Sequence, residues 1–304
     1  DHRDLHSFPT RRSSDLTATL AGNTPPAGGY GQWIIQSGAG GSIAQPNNPT
    51  STFTGVAGNT YLLMWIVYDQ YGCSAYDQVT ISFATGFVCG TSTVTDVDGN
   101  VYNTVQVGSQ CWMKQNLKTT KYRNGTAITY PGSNNTNWQN NTTGAYAWYN
   151  NDIANKTTYG ALYNWYAVTN TNNLCPTGWH VPTDAQWTAL TDYVSSQSSY
   201  RCNSTTNYIA KALAAKTNWS TSSNTCAVGN NLNANNATNF TALPGGYRDI
   251  YGAFDYVTFS GSWWSSTESS ATYAWYRDLY YSNASVHRDY NYKSDGFSVR
   301  CLRD

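Results

Sequence analysis

The sequence predicts a small all-β module followed by a larger α+β unit, and three observations carry that reading. Asn, Thr and Ser supply most of the polarity, and Glu268 is the only glutamate in 304 residues. A chain so poor in the strong helix formers Glu and Lys suits strands, turns and ordered loops. Up to about residue 85, short aromatic and β-branched runs alternate with glycine-rich turns. Beyond it, one segment carries a full helix-start signature, and strand-like runs return towards the C-terminus.

Residues 1–16, DHRDLHSFPTRRSSDL, stand apart. They hold two of the four His and the only adjacent basic pair, Arg11-Arg12. They read as a translated sequencing adapter or a disordered leader and are set aside from the fold, so the sequence leaves the export signal undefined. Residues 17–86 read as a β-sandwich. Its candidate strands are Trp33-Ile34-Ile35, Ser51–Phe53, Tyr61–Tyr68 and Val79–Phe83, with turns at Pro26-Ala27-Gly28-Gly29 and Gly38 to Gly41. Thr85-Gly86 is the expected hinge.

Residues 87–304 read as one α+β unit. VTDVDGNVYNTVQVG is a hairpin with Asp98-Gly99 at its turn. Asp96, Asp98 and Asn100 also imitate the start of a calcium loop, but Val107 stands where the twelfth-position carboxylate belongs. A helix is predicted over Thr183–Val194: Pro182 precedes it, Thr183 and Gln186 form a capping box, and Trp187, Leu190 and Val194 share a face. A second helix is predicted over Thr206–Lys216, with Ile209 and Leu213 inward. Tyr159–Val168 is open between helix and strand. Trp263, Trp264, Trp275, Leu279, Val286, Phe297 and Val299 are the expected core of the C-terminal part.

Composition narrows the function classes. Charged residues make up 11% and the net charge is zero, which argues against nucleic acid as a partner, because phosphate neutralisation needs clustered Lys and Arg. No apolar run approaches the ~18 residues of a transmembrane helix. None of the seven Cys forms a CxxC pair, and outside the leader only His180 and His287 remain, so neither a metal site nor a cofactor is expected. Well-spaced Cys in a Trp-rich chain fit disulfides and an oxidising compartment, hence a secreted or surface-displayed protein. The expected pairs are Cys89–Cys111, Cys175–Cys301 and Cys202–Cys226, leaving Cys73 single. Spacing alone leaves the connectivity open, and free thiols of a cytosolic protein are the alternative.

CGTSTVTDVDGNVYNTVQVGSQCWMKQNL, YGALYNWYAV, LCPTGWHVPTDAQWTAL, ALPGGYRD, WWSSTE and DGFSVRCLRD follow one another in that order. Together they resemble the Fibrobacter succinogenes major paralogous domain across residues 89–304. The resemblance implies a C-type-lectin-like fold of the formylglycine-generating-enzyme branch: a small antiparallel sheet, two helices and long ordered loops. TSTFTGVAGNTYLLMWIVYD resembles bacterial Ig-like or PKD-like repeats, which act as spacers. Within the motifs, Trp179 and His180 read as packing residues, Trp263 and Trp264 as wedges of the sheet, and Arg300 as a buried charge-assisted hydrogen-bond donor.

The segment YAWYRDLYYSNASVHRDYNYKSD, residues 273–295, is the candidate binding surface. Period two puts Trp275, Arg277, Leu279 and Tyr281 on one face, with Ala284 and Val286 continuing the inward set. The expected outward set is Tyr276, Asp278, Tyr280, Ser282, Asn283, Ser285, His287, Asp289, Tyr290, Asn291 and Tyr292. Tyr offers stiff amphipathic contact area, and Asn, Ser and Asp offer adaptable hydrogen bonds, as in paratopes. The plain alternative is a solvated strand with a Tyr ladder. Every outward residue is Asn, Tyr, His, Asp or Ser, each either encoded by an Asn codon or reached from it by changing one adenine. The segment therefore resembles the variable region of proteins diversified by retroelements. The expected function is recognition of a protein or glycan on a cell or phage surface. A structural stalk-and-cap protein is the first alternative. A formylglycine-generating-type enzyme is the second, and it needs reactive thiols near Cys301.

Overall fold

A computed structural model describes residues 16–304. Of the proposed leader, residues 1–15 lie outside the described residues. The chain divides between Phe87 and Val88 into two units.

The first unit is all β: β1 (Thr17–Thr19), β2 (Tyr30–Ser37), β3 (Ser42–Ile43), β4 (Thr52–Thr54), β5 (Thr60–Tyr68) and β6 (Ser74–Ser82). They form two antiparallel three-stranded sheets, β1-β4-β3 and β2-β5-β6. Leu20, Trp33, Phe53, Tyr61, Leu63, Trp65 and Phe83 make the core that both sheets share. Tyr61 packs edge-on against Phe53 at 4.9 Å, while its hydroxyl donates to the Ala39 carbonyl at 2.8 Å, so the ring is buried and its polar end satisfied. β6 begins five residues before the predicted Val79. Ser74–Gln78 is an exposed edge with no apolar alternation to read.

The second unit contains β7 (Thr93–Thr95), β8 (Val101–Val107), β9 (Gln110–Met113), β10 (Tyr146–Ala147), β11 (Leu162–Asn164), β12 (Trp179–His180), β13 (Gly245–Arg248), β14 (Phe254–Val257), β15 (Ser260–Glu268), β16 (Tyr273–Tyr280), β17 (His287–Tyr292), β18 (Gly296–Ser298) and β19 (Leu302–Arg303). Its helices are α1 (Asn135–Gln139), α2 (Asn155–Tyr159), α3 (Trp165–Val168), α4 (Asp184–Ser196) and α5 (Ala210–Leu213). One sheet runs β12-β19-β9-β8-β7. The other runs β10-β11-β18-β13-β15-β16-β17, with β14 beside β13. The β7–β8 hairpin turns at Asp98-Gly99, where Gly99 adopts φ 81°, a conformation that costs glycine little.

α4 starts where its capping box requires. Thr183 accepts from the Gln186 N–H, the Gln186 side chain accepts from the Thr183 N–H, and Trp187, Leu190 and Val194 are buried. The helix predicted over Thr206–Lys216 shrinks to the four residues of α5. Ala214 turns extended and bridges to Ala242, and the Ala215 N–H donates to the Ala242 carbonyl at 2.7 Å, so sheet-like pairing ends the helix. The ambiguous Tyr159–Val168 holds both answers. α2 ends at Gly160, β11 follows, and the Asn164 side chain then caps α3. Cys89–Cys111, Cys175–Cys301 and Cys202–Cys226 are bonded, and Cys73 is free and exposed.

The core joins α4, α5 and both sheets through Trp112, Trp187, Phe240, Trp263, Leu279 and Leu302. Trp264, Phe297 and Val299 are buried as expected, whereas Trp275 is only partly so and carries the Arg288 guanidinium 3.6 Å from its ring centroid. Arg300 is fully buried and donates to the carbonyls of Phe240 and Thr241 and to Asn116 Oδ1 at 3.0 Å. Arg277, 2% exposed, donates to Asp184 Oδ1 at 2.7 Å and to Thr188 Oγ1 at 2.8 Å, and Arg288 reaches the same carboxylate at 2.9 Å. Burial alone would raise the Asp184 carboxyl. The hydrogen bonds and charges of Arg288 and Arg277 outweigh it and hold the group below the ordinary carboxylate range.

Asp184→Ala leaves a buried guanidinium unpaired and should cost about 3 kcal/mol in urea unfolding, against ~1 kcal/mol for the cap variant Thr183→Ala. Equal losses would show that Arg277 finds other partners. Asp295, 4% exposed, behaves oppositely to Asp184: burial, then the neighbouring Asp249 charge, push its carboxyl up to about 7. The folded state therefore holds this proton to higher pH than the unfolded chain, whose Asp titrates near ~3.9. Stability should fall as pH rises from about 4 to about 7 and level off above. Asp295→Asn should flatten that slope and stabilise the protein at pH 8; an unchanged slope would refute the assignment.

Candidate functional site: an aromatic and acidic concavity

β15, β16 and β17 pair antiparallel with Ser262 opposite Asp278, Trp264 opposite Tyr276, Tyr276 opposite Asp289 and Asp278 opposite His287. Directly opposed residues point to the same side of a sheet. Ser260, Ser262, Tyr276, Asp278, Tyr280, His287, Asp289 and Asn291 therefore share one face. Trp263, Trp275, Arg277, Leu279 and Arg288 take the other, where Arg277 and Arg288 meet Asp184 of α4.

The first face is the floor of a concavity of about 430 Å³. Its walls are aromatic. Tyr256 stacks on Tyr247 at 5.7 Å with planes 14° apart, Tyr247 meets Phe297 edge-on at 5.9 Å, and Phe297 lies 4.7 Å from Tyr276. Tyr280 closes the ring, 6.1 Å from Tyr256. Tyr276 is wedged between Phe297 and Trp264, which fixes its ring. Tyr256 has φ 62°, a left-handed conformation that is strained for a bulky side chain. Strain of this kind persists only where the surroundings impose it, and here it sets the ring at the rim of the concavity.

The polar groups are unevenly satisfied. Asp278 Oδ1 accepts from the Ser260 and Ser262 hydroxyls, and Oδ2 has no partner among the described residues. Burial raises the Asp278 carboxyl, against the pull of the two serines and His287. Burial likewise raises the phenols, Tyr247 to about 12 and Tyr276 further, so both are neutral donors at physiological pH. Asn283 Nδ2 lies 2.9 Å from His287 Nε2. Asp289 and Asn291 accept from the N–H groups of Tyr290 and Tyr292, which covers part of the free edge of β17 with its own side chains. No Lys or Arg lines the concavity, and no ion pair among the described residues includes Asp278 or Asp289.

Of the predicted surface residues, Tyr276, Asp278, Tyr280, Asn283, His287, Asp289 and Asn291 come together here. Four do not. Tyr290 and Tyr292 have the opposite parity to Asp289 and Asn291, so alternation sends them to the helix side, where Tyr290 packs edge-on against Trp275 at 5.5 Å and Tyr292 lies tilted against Tyr273 at 4.7 Å. Ser282 and Ser285 sit in the turn between β16 and β17, whose carbonyls at Asn283 and Ala284 accept from Val228 and Ala210. The face is also concave and partly buried rather than freely outward. Tyr247, Tyr256, Ser260, Ser262 and Phe297 were missed. Ser-Gly-Ser ahead of Trp263-Trp264 was a usable signal, since small residues at period two leave volume above a strand. Nothing local marks Tyr256.

Among the described residues, no group of three or more His, Cys, Asp or Glu is placed to hold a metal. The calcium-loop imitation has a structural use instead. Asp96 accepts from the N–H groups of Asp98 and Asn100 and from the Tyr102 hydroxyl, and Asp98 accepts from Thr120. No helix among the described residues is long and apolar enough to cross a membrane.

No curated protein matches the chain. One solved structure, described as the solution structure of the PKD domain from KIAA 1837 protein, matches with 17% identity over 27% of this chain and 100% of that one. Its TM-score of 0.18 is too low to support an inference about either unit. The family model of the Fibrobacter succinogenes major domain matches residues 105–303, which include every residue lining the concavity. That match spans well over half of the sequence, and the chain belongs to the Fibrobacter succinogenes major domain family.

Proposed function

We propose that this is an exported ligand-binding protein that recognises a protein or glycan through the concavity, without catalysing a reaction on it. The observation that carries the reading is the convergence of seven residues, singled out as a recognition surface from sequence alone, on one aromatic-walled face. Rigid Tyr rings with a few adaptable amide, carboxylate and imidazole groups are the chemistry of a contact surface. Three disulfides suit an oxidising compartment and so support export. In this reading the second unit is a C-type-lectin-like domain of the formylglycine-generating branch, and the first is an Ig-like spacer.

The absence of a thiol pair supports binding over catalysis. All six cysteines of the second unit are in disulfides, Cys301 with Cys175, and free Cys73 belongs to the other unit. Diversification by a retroelement is part of the proposal. It is supported by the Asn, Tyr, His and Asp identities of the seven residues, and a near-copy of codons 263–304 differing mainly at adenines, beside a reverse-transcriptase gene, would establish it.

Screening the full chain on glycan and surface-protein arrays tests the reading. Tyr280→Ala and His287→Ala should each weaken a hit about tenfold, ~1.4 kcal/mol, with unfolding midpoints near wild type. Tyr290→Ala, on the helix side, should leave it within about twofold. Binding that follows Tyr290 instead moves the contact surface, and reproducible silence on both arrays favours a stalk-and-cap role.

A further inference from the structure

We propose that the concavity takes a cationic side chain, the ammonium of a lysine or the guanidinium of an arginine, displayed on a protein ligand. This rests on the reading of the concavity as the contact site and names the chemistry it selects.

Two carboxylates, Asp278 and Asp289, line the cavity, and His287 is the only basic group beside them. Asp278 is partly withdrawn from water, and its Oδ2 accepts nothing from the described residues. The basic side chains nearest in sequence are committed elsewhere: Arg277 and Arg288 to Asp184 on the other face, and Lys293 to Glu268 at 2.7 Å. A carboxylate held without a counter-ion in a partly desolvated site gains most from a guest that brings one. Burial first, and then the charges of Asp278 and Asp289, raise the Tyr276 phenol.

The walls point the same way. Tyr247, Tyr256, Tyr276, Tyr280 and Phe297 surround the acidic floor, and aromatic faces attract cations through their quadrupoles. A neutral sugar could use the Tyr faces and the amides but would leave both carboxylates uncompensated, and an anion would be repelled. Tyr256 is exposed at the rim, so a side chain entering the cavity would bring the surface of its own protein against it.

The test titrates the full chain, by side-chain amide and imidazole NMR, with Nα-acetyl-lysine methylamide and Nα-acetyl-arginine methylamide. Nα-acetyl-norleucine methylamide, which has the lysine side-chain carbons without the ammonium, and a panel of neutral methyl glycosides serve as comparisons. At roughly 10 mM, enough to populate a millimolar site, the cationic probes should shift Asn283, Asn291 and His287 and norleucine should not. Asp278→Asn, which keeps an acceptor for the serine hydroxyls, should weaken the cationic probes at least tenfold, and exposed Asp289→Asn about threefold. Norleucine or a glycoside binding as well as the cations, indifference to both substitutions, or silence from the cationic probes would each overturn the proposal. An array hit that survives Asp278→Asn but is lost in Tyr280→Ala would leave the binding reading standing while removing the cation. Loss of every array hit would remove the reading itself.

Discussion

Arg277 brings a full positive charge into the core between β16 and α4, and much of the second unit is arranged to meet it. A guanidinium so placed is tolerable only if its donors are met by a carboxylate and further acceptors. Asp184 supplies the carboxylate, and Asp184 is in position because the Thr183 and Gln186 capping box starts α4 at it. The Trp187 indole then donates to the Trp264 carbonyl at 3.2 Å, fastening the same helix to β15. Once Arg277 faces the helix, the pleat leaves no choice for its neighbours: Tyr276, Asp278 and Tyr280 must face away. The concavity is the other side of the core's own constraint.

Net neutrality conceals how the charges are sorted. Arg248 lies over Trp138 and Phe254, Arg300 over Phe240, and Lys293 over Trp165, each also donating to oxygen atoms. Arg123 donates to the carbonyls of Cys175, Pro176 and Trp179, and Lys211 to those of Ala227, Asn230 and Asn231. These cations act as structural donors, holding loops in a unit with little regular helix, where long irregular segments carry backbone oxygens that need partners. With so many cations used in this way, Asp278 and Asp289 remain uncompensated on the concave face. The charge balance read from composition says nothing of that division, because it depends on which side of a strand each residue lands.

Local signals were legible and long-range ones were not. The capping box and the Asp98-Gly99 turn could be read because each is set by a few residues and their neighbours. Thr206–Lys216 misled because its helix propensity competes with pairing to Ala242, some thirty residues on, which no window contains. Tyr276, Asp278 and Tyr280 of the expected outward set share the concave face, but after the turn the set mixes two parities, joining Tyr290 and Tyr292 to Asp289 and Asn291. Tyr247 and Phe297 enter the site because β13 pairs in parallel with β15 at Gly246 and Gly261, and antiparallel with β18. That topology is invisible until the sheet is assembled.

The seven predicted residues that converge are not equivalent, and the difference bears on the proposed diversification. Tyr276 is held against Trp264 and Phe297, and Asp278 is tied to two serines, so changes there disturb packing as well as contact. His287 and Asp289 are exposed, and the side-chain partners of His287, Asn283, Asp289 and Asn291 lie within the same strand or its turn. Substitution at these four trades one local hydrogen bond for another and leaves the core untouched. A surface meant to vary needs such a gradient: an aromatic wall fixed by the fold, and a margin whose identity the fold does not use. The turn between β16 and β17 completes the separation. It is fastened through backbone carbonyls at Ser282, Asn283 and Ala284, which every side chain leaves in place.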